Sequence, residues 1–124
     1  MELTKSEMEI MDVFWNLRTP LSRSDLLGHG EHKTWKDSSV HILLNSLLQK
    51  GVIQEVGFVR RSKTYSRTFL PTLTREEYFA ATIFSHRHKP DPAGLLTALL
   101  NRPEADRSVL YQIQSLLDEK LKNL

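Results

Sequence analysis

Val40-His41-Ile42-Leu43-Leu44-Asn45-Ser46-Leu47-Leu48-Gln49-Lys50-Gly51 is the stretch on which the fold turns. Val40, Leu43, Leu44, Leu47 and Leu48 follow the i, i+3, i+4, i+7, i+8 spacing of a helix with one apolar side, and Gly51 stands where a left-handed C-terminal residue is wanted. At about 100° per residue the opposite side carries Ser38, His41, Ile42, Asn45, Ser46 and Gln49, polar apart from one isoleucine.

After Gly51 the period changes from helical to alternating. Val52, Val56 and Phe58 alternate with polar positions, and Tyr65, Arg67 and Phe69 alternate with Thr64, Ser66 and Thr68. Arg60-Arg61-Ser62-Lys63 lies between the two runs, so an antiparallel hairpin with a basic tip is expected. Before the central helix, Thr4 and Glu7 fit a capping box with Leu3 and Met8 as its staple. They open a first helix whose apolar side is Ile10, Met11, Phe14 and Trp15 and which stops before Thr19-Pro20. Ser22 caps a short second helix through Leu26 and Leu27, ended by Gly28 and Gly30.

Beyond the hairpin, Thr74 and Glu77 form a second capping box, with Leu73 and Tyr78 as staple, for a fourth helix through Phe79, Ile83 and Phe84. Pro92 to Leu100 reads as a short Leu-rich helix, and from about Asp106 a last helix puts Leu110, Ile113, Leu117, Leu121 and Leu124 on one stripe. The fold class expected is mainly α with a small antiparallel β wing. It comprises a winged helix-turn-helix over residues 1–72 and a helical dimerisation region over 73–124. Leu95, Leu96, Leu99 and Leu100, with Leu110, Ile113, Leu117 and Leu121, offer more apolar surface than one small domain uses, so they are assigned to dimerisation.

Three helices followed by a hairpin is the order in which the helix before the wing enters the major groove. Asn45 and Gln49 suit adenine, Ile42 a thymine methyl, and His41 with the serines are general hydrogen-bonding groups. Arg60, Arg61 and Lys63 would follow phosphates or dip into the minor groove. Taken singly, polar residues on an outer helix face are ordinary solvated residues, and a basic hairpin tip is an ordinary protected edge. Their conjunction in this order is what carries the reading.

The 124 residues carry a net charge of only +2, but between Thr34 and Leu70 six Lys or Arg face two acids. With no cysteine there is no disulfide, thiolate metal site or cysteine nucleophile, and the cytosol is the expected compartment. Met1-Glu2 opens no secretory leader, and no apolar run approaches the ~20 residues of a membrane span. No Gly-rich phosphate loop, nucleophile elbow or paired-carboxylate motif appears, so the chain is not expected to be an enzyme. No cofactor or metal is expected either. His86-x-His88 and His29-x-x-His32 are the candidate ligand clusters, and neither has a cysteine or a well-spaced carboxylate.

The segment Leu3 to Trp15 resembles the first helix of the penicillinase-repressor (BlaI/MecI) family, which also includes CopY-type copper-responsive repressors. Asn45 to Ile53 resembles that family's recognition-helix end and approach to the wing, and Phe69 to Tyr78 its third strand and fourth helix. The resemblance implies a cytoplasmic homodimer repressing transcription from a palindromic operator, with double-stranded DNA and a second copy as partners and no membrane. Family base-reading positions fall on Ser38, Ser39, His41, Ile42 and Ser46. Where the family often has Lys or Arg, Thr and Arg, this chain has His41, Ile42 and Ser46. Penicillinase-type members are also cut by a regulatory protease after an asparagine, typically before phenylalanine. Asn101 matches the asparagine and Arg102 follows it, although Asn101-Arg102-Pro103 equally reads as a helix end and a turn. The rival reading is a winged helix that docks on protein instead of specific DNA.

Overall fold

The computed structural model describes residues 2–29 and 34–124, with Arg61 described by its backbone alone. Gly30 and His32, read above as a helix stop and a ligand candidate, lie outside the described residues. In order the elements are α1 (Lys5–Leu17), β1 (Leu21–Ser22), α2 (Arg23–Leu27), a 3₁₀ turn (Asp37–Ser39), α3 (Val40–Gln49), β2 (Ile53–Arg61), β3 (Thr64–Pro71), α4 (Arg75–Phe84), α5 (Pro92–Leu100) and α6 (Arg107–Lys122). The architecture is mainly helical with one small antiparallel sheet, as the residue pattern predicts.

Local signals decide the helix ends. Thr4 with Glu7, Ser22 with Asp25, and Thr74 with Glu77 each form a complete capping box, satisfying two of the amides a helix start leaves open. Arg18 closes α1 in the left-handed region at φ 56°. Gly51 closes α3 at φ 76°, where the Val52 amide donates to Leu47 and the Gly51 amide to Leu48, the Schellman pattern. That turn swings the chain directly into β2.

The sheet runs β1-β3-β2, all neighbours antiparallel. The two-residue strand β1 goes unnoticed in sequence, because Leu21-Ser22 is too short to show a period; its partners are Phe69 and Thr68. A core of Ile10, Met11, Phe14, Leu26, Val40, Leu44, Leu47, Val52, Ile53 and Phe69 lies between the helices and the base of this sheet. Each side chain of the Val40–Leu48 stripe is buried or partly buried there.

The alternation read in the hairpin holds only at its base. A bulge between Glu55 and Gly57 shifts the register by one residue. Val52, expected to begin the alternation, precedes β2 and is buried, whereas Val56 and Phe58 are exposed because the strands run on past the layer that covers Ile53 and Phe69.

Two compact units result, Met1–Ser85 and His86–Leu124. The first of these carries α4 as well, beyond the 72/73 division read in sequence. Tyr78 in α4 is buried, its ring 5.8 Å from that of Trp15, and its hydroxyl accepts from the Leu3 amide. Trp15 Nε1 donates to the Leu73 carbonyl, and Arg75 donates to Asn16 at 2.8 Å. These bonds fasten the start of α4 to α1. In the second unit Asp91 caps α5, Asp106 caps α6, and neither helix has a buried residue.

Candidate nucleic-acid interface

Helix α3 is held by its apolar stripe and by a polar clamp at its C-terminal half. The Glu7 carboxylate, 1% exposed, receives Lys50 Nζ at 2.7 Å, Ser46 Oγ at 2.6 Å and the Thr4 amide at 2.8 Å. Burial pushes this carboxyl upward, but the donations from Lys50, Ser46 and Thr4 outweigh it and hold the pKa at about 2. The clamp joins the first turn of α1 to the last turn of α3 and fixes the helix about its own axis.

Ser46, a base-reading candidate in the sequence, has its hydroxyl bonded to Glu7. Placed on the outer face by a 100° wheel, it sits at the edge of that face, half-buried and bonded to Glu7. The remaining candidates on the helix come together. His41, Ile42, Asn45 and Gln49 are exposed on one side of α3, with Ile42 59% exposed, and Ser38 is exposed in the 3₁₀ turn that leads into it. Ser39 belongs to the same turn and is half-buried.

The wing closes through Ser62-Lys63, with Ser62 at φ 57° and Arg61 opposite Thr64. Lys63 is exposed at the turn. Arg60 donates from Nε to the Ser62 carbonyl at 3.2 Å and lies 5.9 Å from the centre of the Tyr65 ring. The side chain of Arg61 lies outside what is described. Phe58 pairs with Arg67 and Arg60 with Tyr65, so all four share the sheet face that buries Ile53 and Phe69 nearer the base.

Two further cations stand beside these residues and escape a reading of sequence alone. Arg23 opens α2, and Arg67 lies in β3 over the Phe69 ring at 5.3 Å. With His41, Leu44, Ser66 and Phe69 they line a cleft of about 230 Å³. A signal exists for each: Arg23 directly follows the Ser22 cap of the helix that crosses the backbone in helix-turn-helix docking, and Arg67 belongs to the basic window.

In the second unit, Leu110, Leu117 and Leu121 are exposed on α6, and Leu99 on α5, while Leu95, Leu96, Leu100 and Ile113 are partly covered. Asn101 caps α5, and Arg102 in the following turn pairs with Glu104 at 3.0 Å. No group of three or more His, Cys, Asp or Glu that could hold a metal occurs among the described residues. Nor is any helix there long and apolar enough to cross a membrane.

A core of helices closed by a three-stranded sheet, with a basic hairpin following a helix whose outer face is polar, defines a winged helix-turn-helix protein. The chain belongs to the penicillinase repressor family, whose model matches residues 3–119. Members of that family are transcriptional repressors and not enzymes. The chain is also 30% identical, over 121 residues, to an "Uncharacterized 16.5 kDa protein in ptsI 3'region" of Latilactobacillus sakei, covering 96% of this chain and 80% of that protein.

Proposed function

We propose that this protein is a cytoplasmic homodimeric repressor that binds a palindromic operator, reading bases with His41, Ile42, Asn45, Gln49 and the Ser38-Ser39 turn. The observation that carries the reading is the outer side of α3, where His41, Ile42, Asn45 and Gln49 all stand open to solvent. Ile42, 59% exposed among these hydrogen-bonding groups, would find a natural neighbour in a thymine methyl. Arg60, Arg61 and Lys63 would then follow the backbone from the wing. The second unit supports a dimer, since Leu99, Leu110, Leu117 and Leu121 stand exposed on it. A regulatory protease forms no part of the proposed mechanism, because Arg102 stands where cleavage of penicillinase-type members calls for phenylalanine.

Selection of bound duplexes from a random pool tests this directly. The expected result is an inverted repeat bound with an affinity that falls steeply with salt. A winged helix that docks on protein would enrich no sequence, and that outcome would overturn the proposal.

A further inference from the structure

The base-facing side of α3 carries no Lys or Arg: Ser38, His41, Ile42, Asn45 and Gln49 are its exposed residues. Binding a duplex nevertheless requires neutralising phosphates at the groove edge. The cleft beside His41 supplies what the helix lacks. Arg23 arrives from α2, His41 from the first turn of α3, and Arg67 with the Ser66 hydroxyl from β3. Its floor is apolar, Leu44 being 3% and Phe69 2% exposed, which strengthens the attraction of an anion resting above it.

Arg67 is pre-positioned there by the Phe69 ring and by Glu55, whose carboxylate lies 3.5 Å from its Nη1. A single carboxylate uses only part of a guanidinium's five donors, so others remain for an anion. None of the six lining residues is acidic. His41 adjoins Ile42 in the chain, so an anion held at this cleft sits next to the proposed base-reading face.

We propose that Arg23, His41 and Arg67 together grip one backbone phosphate of the bound duplex, an assignment that rests on the DNA-binding reading above. The grip fixes the angle at which α3 lies in the groove without reading a base. Arg23 and Arg67 thus replace from the flanks a charge that the recognition helix does not carry.

The test is the salt dependence of affinity for Arg23→Gln, Arg67→Gln and the double variant, with circular-dichroism melting to confirm that each folds. Each single variant should weaken selected and random duplexes by the same factor, between about threefold and tenfold. The slope of log K against log salt counts phosphates, not cations, so the double variant should lose about one unit of slope and not two. A duplex with one neutral methylphosphonate linkage at the gripped position should weaken the wild type and leave the double variant unaffected. Unchanged slopes in all three variants, or a loss of two units in the double, would overturn the cleft while leaving DNA binding intact. Absence of DNA binding by the wild type would overturn both. A free anion is distinguished by adding inorganic phosphate: a melting-temperature rise that Arg23→Gln abolishes, with unaltered DNA slopes, would reassign the cleft to a small ligand.

Discussion

Glu7 shows how one side chain can orient a whole helix. It is buried, ionised and bonded to Lys50, whose side chain keeps 30% of its exposure and so stays partly hydrated. The folded pKa of about 2 lies below the ordinary 4.5. The clamp therefore contributes fully above about pH 5, and its contribution drains away as pH falls through 4.5 towards 2. At ~1.4 kcal/mol per pKa unit the contribution is about 3 kcal/mol. Glu7→Gln should lower stability by that order at pH 7, and the gap from wild type should shrink to less than half at pH 3. Urea midpoints at the two pH values measure it; an equal gap at both would mean that the charge of Glu7 is not what matters. Ser46→Ala tests the same corner separately. It should cost about 1 kcal/mol and leave the selected operator unchanged, because the Ser46 hydroxyl points at Glu7 and not at bases. A changed operator would return Ser46 to the reading face.

At the scale of elements, the turn from α3 into β2 depends on backbone conformation alone. A Cβ built on Gly51 meets nothing within 4 Å, so Gly51→Ala would suffer no clash, only the cost of φ 76° for an L residue. A loss of about 1–2 kcal/mol is expected, read as a fall in urea midpoint with unchanged slope. No loss would show that the turn relaxes. This residue also illustrates what was legible in the chain: a glycine after a leucine stripe, and Thr three residues before a glutamate ahead of an apolar run, are local rules, and both capping boxes read from them, Thr4 with Glu7 and Thr74 with Glu77, are present. What resists such reading is non-local. The strand β1 exists because Phe69 and Thr68 pair with it, forty-six or more residues away. The Glu55/Gly57 bulge is marked in the sequence by Gly57 alone, and Ser46 turns from the outer face of α3 because Glu7, on another helix, captures it. The exposed side of α3, with His41, Ile42, Asn45 and Gln49, was legible from the helix period. That Arg23 and Arg67 line one cleft with His41 was not legible, because only the closed sheet brings α2 and β3 to the same side of that residue.

For the whole molecule, the second unit raises the question of what stabilises it. His86–Leu124 contains two helices, neither with a buried residue, and segments below about 40 residues seldom hold together on their own core. Leu110, Ile113, Leu117 and Leu121 lie at spacings of three and four along α6, the seam of a helix that packs against another helix. Leu117 is 48% and Leu121 67% exposed within the chain, and covering them with a second copy removes that apolar surface from water. Leu117→Glu should therefore give a monomer by sedimentation at about 10 μM, where the wild type is expected to run as a dimer. Two linked reading units gain from effective concentration, so binding to a full inverted repeat should fall on the order of a hundredfold. Binding to a single half-site should stay as it was, since nothing in Met1–Ser85 is altered. A wild type that sediments as a monomer, or a Leu117→Glu variant that loses half-site binding equally, would remove the second unit from the role of joining two copies.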